Sequence, residues 1–377
     1  MKKSLLTLAL LLSILSSQAQ RIAGSEIYYK RTGNRQYTIT AIVYRECDAD
    51  PLTSLSGYVI AGTKSLNLPF TRISIQKIND TCSKPCNIVN DYSNPGFEKH
   101  TFVSTVNFND VSYQMFLSDC IVNFAIKQSG RDNRTTNQSS GLYYNEASVN
   151  ICDSLIPNSS PIFSIEPKFK VANNFPMVYS PGPLDTTDYD SMVFELAPAL
   201  VDHNKYLGYN IGYSPAIPLT PYCPPNPGVT NCRPLPNAKP PRGFYFDNEY
   251  CNIIFTPTVS GEMSYVRIRI SEYRRVNNQI KYLGSIYREM LVSVESMLNN
   301  NPSYFTSNTS SNTINVCSNA VNFTIQAKDE IFLPQQTNID TSVIFYNYGI
   351  KNATVTHDKS SNEETLILSL PLDTDLK

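Results

Sequence analysis

The side chains best suited to chemistry in this 377-residue chain are carboxylates and thiols. Asp185, Asp188 and Asp190 fall in the stretch Asp185-Thr-Thr-Asp-Tyr-Asp-Ser191, just ahead of an alternating run. Carboxylates so spaced in a loop between strands offer oxygen ligands to Ca²⁺, which takes about six to eight oxygens in a flexible shell. Three carboxylates are not a full shell, and Asp side chains in turns also cap backbone N–H groups. Glu46, Asp48 and Asp50 form a second acidic trio. A glycoside hydrolase needs two carboxylates facing each other across a cleft, whereas acids this close at a strand end also make a solvated loop. No Gly-x-Ser-x-Gly elbow or His-Glu-x-x-His pair occurs. The motif census therefore points away from an enzyme.

The thiols are Cys47, Cys82, Cys86, Cys120, Cys152, Cys223, Cys232, Cys251 and Cys317. Zinc at Cys82 and Cys86 would need two more ligands, and His100, His203 and His357 are scattered along the chain. Disulfides are the simpler use, with Cys47, Cys82, Cys86, Cys120, Cys223 and Cys232 as the candidates. Cys82/Cys86 and Cys223/Cys232 are spaced to staple their own loops, and nine thiols leave at least one unpaired within the chain.

Disulfides require an oxidising compartment, and the N-terminus supplies an address. Lys2 and Lys3, an apolar run from Leu5 to Leu15, and Ser17-Gln-Ala19 make up a secretory signal peptide over residues 1–19. No later stretch has the ~18 consecutive apolar residues of a membrane span. Hydrophobic residues make up 41%, enough for real cores, and charged residues only 17%, so Asn, Ser and Thr must cover much of the surface. The formal charge of −1 lacks the basic patch that nucleic acid would require.

The elements that must position these side chains read as strands. Ile27 to Lys30 is extended, Arg31-Thr-Gly-Asn34 is turn chemistry with Gly33 and Asn34 able to take positive φ, and Tyr37 to Tyr44 alternates. A β-hairpin is expected there. Phe102–Phe108, part of Ser112–Phe124, Met192–Leu196, Cys251–Phe255, Tyr265–Ile270 and Met290–Val294 repeat the grammar, and no long amphipathic helix follows the leader. Pro157-Asn-Ser-Ser-Pro161 and Asn299-Asn-Asn-Pro302 read as linkers. Expected are an N-terminal β-sandwich at 20–156, a second at 157–297 and a third, without clear closing strands, at 298–377. Ten of the 25 prolines lie between Pro215 and Pro241. The insert 214–243 is therefore a loop with polyproline character, either a recognition surface or a stiffened connection. Tyr143-Tyr144 and Gly243-Phe-Tyr-Phe246 offer aromatic faces either to sugar rings or to a core.

Several of these stretches, in order, resemble large secreted proteins of Bacteroidetes. Ala23-Gly-Ser-Glu-Ile-Tyr-Tyr29 and Tyr44-Arg-Glu-Cys47 are similar to their opening elements, with Ser25 in place of a Gly and Glu46 in place of an Asp. Asp119-Cys-Ile-Val-Asn123, Asn158-Ser-Ser-Pro-Ile-Phe163, Asp188-Tyr-Asp-Ser-Met-Val-Phe194, Ile254-Phe-Thr-Pro-Thr258, Gly261 and Glu272-Tyr-Arg274 continue the match. Tyr189 stands where those proteins carry a Gly. The resemblance implies a gliding-motility-associated or adhesin-like surface protein built of tandem immunoglobulin-like or cadherin-like β-sandwich domains. Such proteins carry a C-terminal sorting domain for type IX secretion, which is not legible before Lys377.

The expected function is extracellular interaction or adhesion without catalysis, toward an unknown protein or glycan, from the cell surface or as a secreted protein, with the periplasm as the alternative. A glycan-binding module or glycan-active enzyme is the competing class, and a structural part of a secretion or gliding apparatus is a third. No cofactor is expected beyond Ca²⁺ at the three aspartates.

Overall fold

The computed structural model describes residues 21–47, 49–78, 96–152, 157–224, 230–296, 304–306, 320–328, 354–359 and 363–371. The leader, Asp48, Cys82, Cys86 and Cys317 lie outside them. About 55% of the described residues are in strands. Among the described residues the only helical element is a 3₁₀ turn, Val111–Phe116, in the stretch where the sequence suggested part of a strand.

The N-terminal hairpin is present as Ile22–Gly33 paired antiparallel with Gln36–Glu46. Its left-handed residue is Arg35 at φ 56°, not Gly33 or Asn34. A hairpin leaves two bare edges of N–H and C=O groups. Phe97–Asn107 covers one, in register from Gln36↔Asn107 to Glu46↔Phe97. The 17-residue strand Gln279–Glu295 covers the other through Gly24↔Met290, Ser25↔Glu289 and Glu26↔Arg288.

Gln279–Glu295 organises the whole sheet. One side pairs along its length with Met263–Val276, which in turn pairs with Ser191–Ala197. The other side is divided among three partners: Tyr143–Asn150 at Gly284 and Ser285, Ile22–Gly33 at Arg288 to Met290, and Lys170–Ala172, in parallel, at Ser293 to Glu295. Such crowding needs a residue without a side chain. A Cβ on Gly284 would lie 2.1 Å from the Tyr29 hydroxyl and 2.4 Å from the Ser148 carbonyl oxygen. The result is one branched, curled sheet of 14 strands.

The division expected at residue 157 therefore runs through one sheet rather than between two sandwiches. Alternation reveals that a stretch is a strand, not which bare edge it will cover. One core follows from the shared sheet, with Tyr29, Tyr37, Phe108, Phe116 and Phe124 meeting in edge and tilted contacts. Tyr143 and Tyr144 are fully buried, so they face the interior rather than a sugar.

The last stretch forms its own four-stranded sheet from Tyr304–Phe305, Ala320–Lys328, Glu363–Pro371 and Thr354–Lys359. Closing strands do exist there. Leu366, Leu368 and Leu370 alternate within Glu363–Pro371 and carry the register from Ala320↔Pro371 to Lys328↔Glu363.

Disulfides join Cys120 to Cys152 and Cys223 to Cys232, and Cys47 is also disulfide-bonded. Cys251 is a free thiol, fully buried, and burial pushes it up to about 12. The proline-rich insert is irregular but anchored. Thr220 gives its N–H and its hydroxyl to the two oxygens of Glu262, at 2.8 and 2.7 Å. No helix among the described residues is long and apolar enough to cross a membrane.

Candidate functional site

Three polar clusters lie on this sheet. The first is the aspartate loop. Asp185 Oδ1 accepts the backbone N–H groups of Thr187 and Asp188, both at 3.1 Å, and Oδ2 accepts that of Asp190 at 2.6 Å. This is the turn-capping chemistry expected of an aspartate. It folds Asp190 inward, where Arg274 grips both its oxygens at 2.5 and 2.7 Å. Asp188 turns away to accept the Ser159 N–H at 2.7 Å, and burial raises its carboxyl above the usual range. Glu272, on the Met263–Val276 strand, takes the third place. One carboxylate oxygen from each of Asp185, Asp190 and Glu272 lies within 4.8 Å of the others. Glu272 Oε2 accepts from Asn158 Nδ2 at 3.0 Å and from Tyr29 OH at 3.3 Å. Burial, reinforced by the charges of Asp185 and Asp190, pushes its carboxyl up to about 9.

The second cluster lines a cavity of about 180 Å³. The Tyr44 hydroxyl lies 2.7 Å from Glu26 Oε1 and 2.9 Å from Glu166 Oε2, so two carboxylates share one donor. Glu26 is buried and hydrogen-bonded by Arg288 Nη2 at 2.7 Å, while Glu166 is half exposed and paired with Lys99 at 2.6 Å. Burial raises the Glu26 carboxyl, against the pull of Arg288. A raised acid beside a second carboxylate is the raw material of glycoside hydrolysis. Here both are already engaged by cations.

The third cluster is a groove of about 240 Å³ lined by Glu146, Glu195, Tyr206, Arg267, Arg269 and Tyr287, among others. Arg267 lies 3.9 Å above the Tyr287 ring and Arg269 at 5.8 Å, and Arg269 reaches Glu195 at 2.8 Å. Tyr206 is 66% exposed. Glu146 accepts from Tyr144 OH at 2.6 Å and meets His203 Nδ1 at 2.8 Å. Burial favours the neutral Glu146 acid, but the His203 and Tyr144 hydrogen bonds outweigh it and hold the carboxyl below its ordinary value. The same hydrogen bond raises His203.

Of the residues singled out by sequence, Asp185 and Asp190 converge and Asp188 does not join them. Glu46 is buried, paired with Arg134 at 2.5 Å and Arg21 at 3.3 Å, and Asp50 lends a backbone carbonyl to Arg45. Glu46 and Asp50 therefore do not form a catalytic pair across a cleft. Glu26, Glu166, Glu272 and Arg288 were not singled out as site residues by the sequence, because the partners of each lie far along the chain. The legible signal was a charged residue among the alternating apolar residues of a strand, as at Glu272 and Arg288.

No protein-family model matches this chain, and none of the curated proteins does either.

Proposed function

We propose that this is an exported, non-catalytic protein of the cell surface or extracellular space, which works by binding. The observation that carries the reading is the groove of Tyr206, Tyr287, Arg267, Arg269 and Glu195. The exposed face of Tyr206, beside the charged hydrogen-bonding groups of Arg269 and Glu195, suits a polyhydroxylated ligand, the ring stacking and the charges orienting hydroxyls. Glycan is the ligand class, and adhesion to a glycan-bearing surface or matrix is the role. The disulfides and the lack of a long apolar helix among the described residues fit this setting.

The test is binding of the folded chain to a glycan array, beside Tyr206→Ala and Arg269→Ala variants. Glycan signals that fall about tenfold in both variants support the reading. Signals that are absent, or equal in all three proteins, remove the groove from consideration. Protease shaving of intact cells tests the location: shed peptides place the chain outside, and none shed sends the search to the periplasm.

A glycan-active enzyme is the second reading, favoured by Glu26 and Glu166 meeting at one Tyr44 hydroxyl. Turnover of aryl glycosides that is lost in Glu166→Gln would promote it. A structural role in a secretion or gliding apparatus would instead show as co-fractionation with that apparatus and no glycan binding.

A further inference from the structure

Three chain segments meet at the acidic cluster. They are the loop Asp185 to Asp190, the stretch from Asn158 to Ser160, and the middle of the Met263–Val276 strand. Three carboxylates gather here, those of Asp185, Asp190 and Glu272, against one guanidinium, that of Arg274, with Asp188 at 3.9 Å from the same guanidinium but turned to the Ser159 N–H. Arg274 is spent on Asp190. Asp185 accepts from backbone N–H groups.

A second observation separates this cluster from an ordinary acidic turn. Glu272 is 0% exposed, and its Oε1 has no hydrogen-bond partner among the described residues. Asn158 is 2% exposed, and its Oδ1 is likewise without one, although its Nδ2 sits 3.0 Å from Glu272 Oε2. Two buried oxygens without a hydrogen-bond partner, on residues joined at 3.0 Å through Asn158 Nδ2 and Glu272 Oε2 and beside the carboxylates of Asp185 and Asp190, are costly to leave unmatched. Donors are what oxygens of this kind lack, and a cation satisfies several of them at once.

We propose that Asp185, Asp190 and Glu272, with Asn158 beside them, bind a divalent cation, and that the cation is calcium. Every group offered is an oxygen, which selects a hard cation over zinc or copper. The oxygens come from separate segments rather than one rigid octahedral cage, which favours Ca²⁺ over the smaller Mg²⁺. The bound ion bridges the 185–190 loop to the strand behind it. It also fastens Asn158, whose neighbour Ser160 is hydrogen-bonded at both its N–H and its hydroxyl to the backbone of Tyr29. The site thereby ties the start of the 157–296 stretch to the N-terminal hairpin. This inference stands apart from glycan binding and does not need it.

The test is tyrosine-sensitised terbium luminescence on the full chain, because the Tyr29 hydroxyl is only 3.3 Å from Glu272 Oε2. Terbium should emit on tyrosine excitation and be displaced by calcium, with half-saturation at roughly 0.1–1 mM as in extracellular calcium modules, and displaced poorly by magnesium. Calcium should also raise the melting temperature by several degrees over EDTA, since an ion that binds only the folded state stabilises it. Glu272→Gln should weaken calcium at least tenfold, and Asp188→Asn should leave it unchanged. The wild type alone can overturn the proposal: no calcium-displaceable emission and no melting shift at ~5 mM calcium means the cluster holds no metal. If Glu272→Gln does not fold, Asn158→Ala provides the second arm, and undiminished calcium affinity in it removes Asn158 from the site.

Discussion

Glu26 and Arg288 stand directly opposite each other on neighbouring strands and meet at 2.7 Å, each side chain 1% exposed, although 262 positions separate them in the chain. The pair is a charged rivet where the N-terminal hairpin joins the long strand. Removing one partner leaves an uncompensated buried charge, which costs about 3–5 kcal/mol. We expect Arg288→Ala to lose that much in guanidinium unfolding. The double replacement Glu26→Leu with Arg288→Met should recover most of it. A single-variant loss below about 1 kcal/mol would show that the rivet is dispensable.

The Glu146–His203 pair sets a pH window. His203 is raised from its ordinary 6.5, so its contribution is full below that value and is lost as pH rises through the raised one. Glu146 is lowered from 4.5, so its contribution is full above that value and is lost as pH falls through the lowered one. The difference in melting temperature between wild type and His203→Ala should peak between the two ordinary values. A difference independent of pH would contradict the pairing.

Tyr189 carries a φ of 54° while 73% exposed, in the loop that Asp185 caps. The left-handed region costs a non-glycine residue about 1–2 kcal/mol, part of which glycine returns as extra freedom in the unfolded chain. Tyr189→Gly should therefore stabilise the protein by about 0.5–1 kcal/mol, read as a higher denaturation midpoint. A lower midpoint would mean that the tyrosine ring makes a stabilising contact of its own.

The disulfides Cys120–Cys152 and Cys223–Cys232 should rank by the loops they close. Cys120–Cys152 spans 32 residues and Cys223–Cys232 spans 9. Chain entropy assigns them about 3–4 and about 2–3 kcal/mol respectively. Paired Cys→Ala variants, compared by guanidinium unfolding, should keep that order. Cys251 should stay unlabelled by thiol reagents in the native protein and react on unfolding, since the reactive thiolate is suppressed by burial.

The sequence by itself determined that this chain is built of strands. Alternation over Tyr37 to Tyr44 and Met192 to Leu196 is a local property that any half-buried strand must show, and the structure has strands at both. The close spacing of Cys223 and Cys232, and the capping by Asp185 of its own loop, are equally local. Only the tertiary structure decided which edges pair. It joined the stretches either side of residue 157 through Ser25↔Glu289 and Ser285↔Ser148. It also exchanged Asp188 for Glu272 in the acidic cluster, and set Glu26 against Glu166 and Arg288. The physical reason is that every strand offers two identical edges of backbone donors and acceptors. Which edge covers which is settled by burial and charge matching summed over the whole sheet, and no window of the sequence contains that sum.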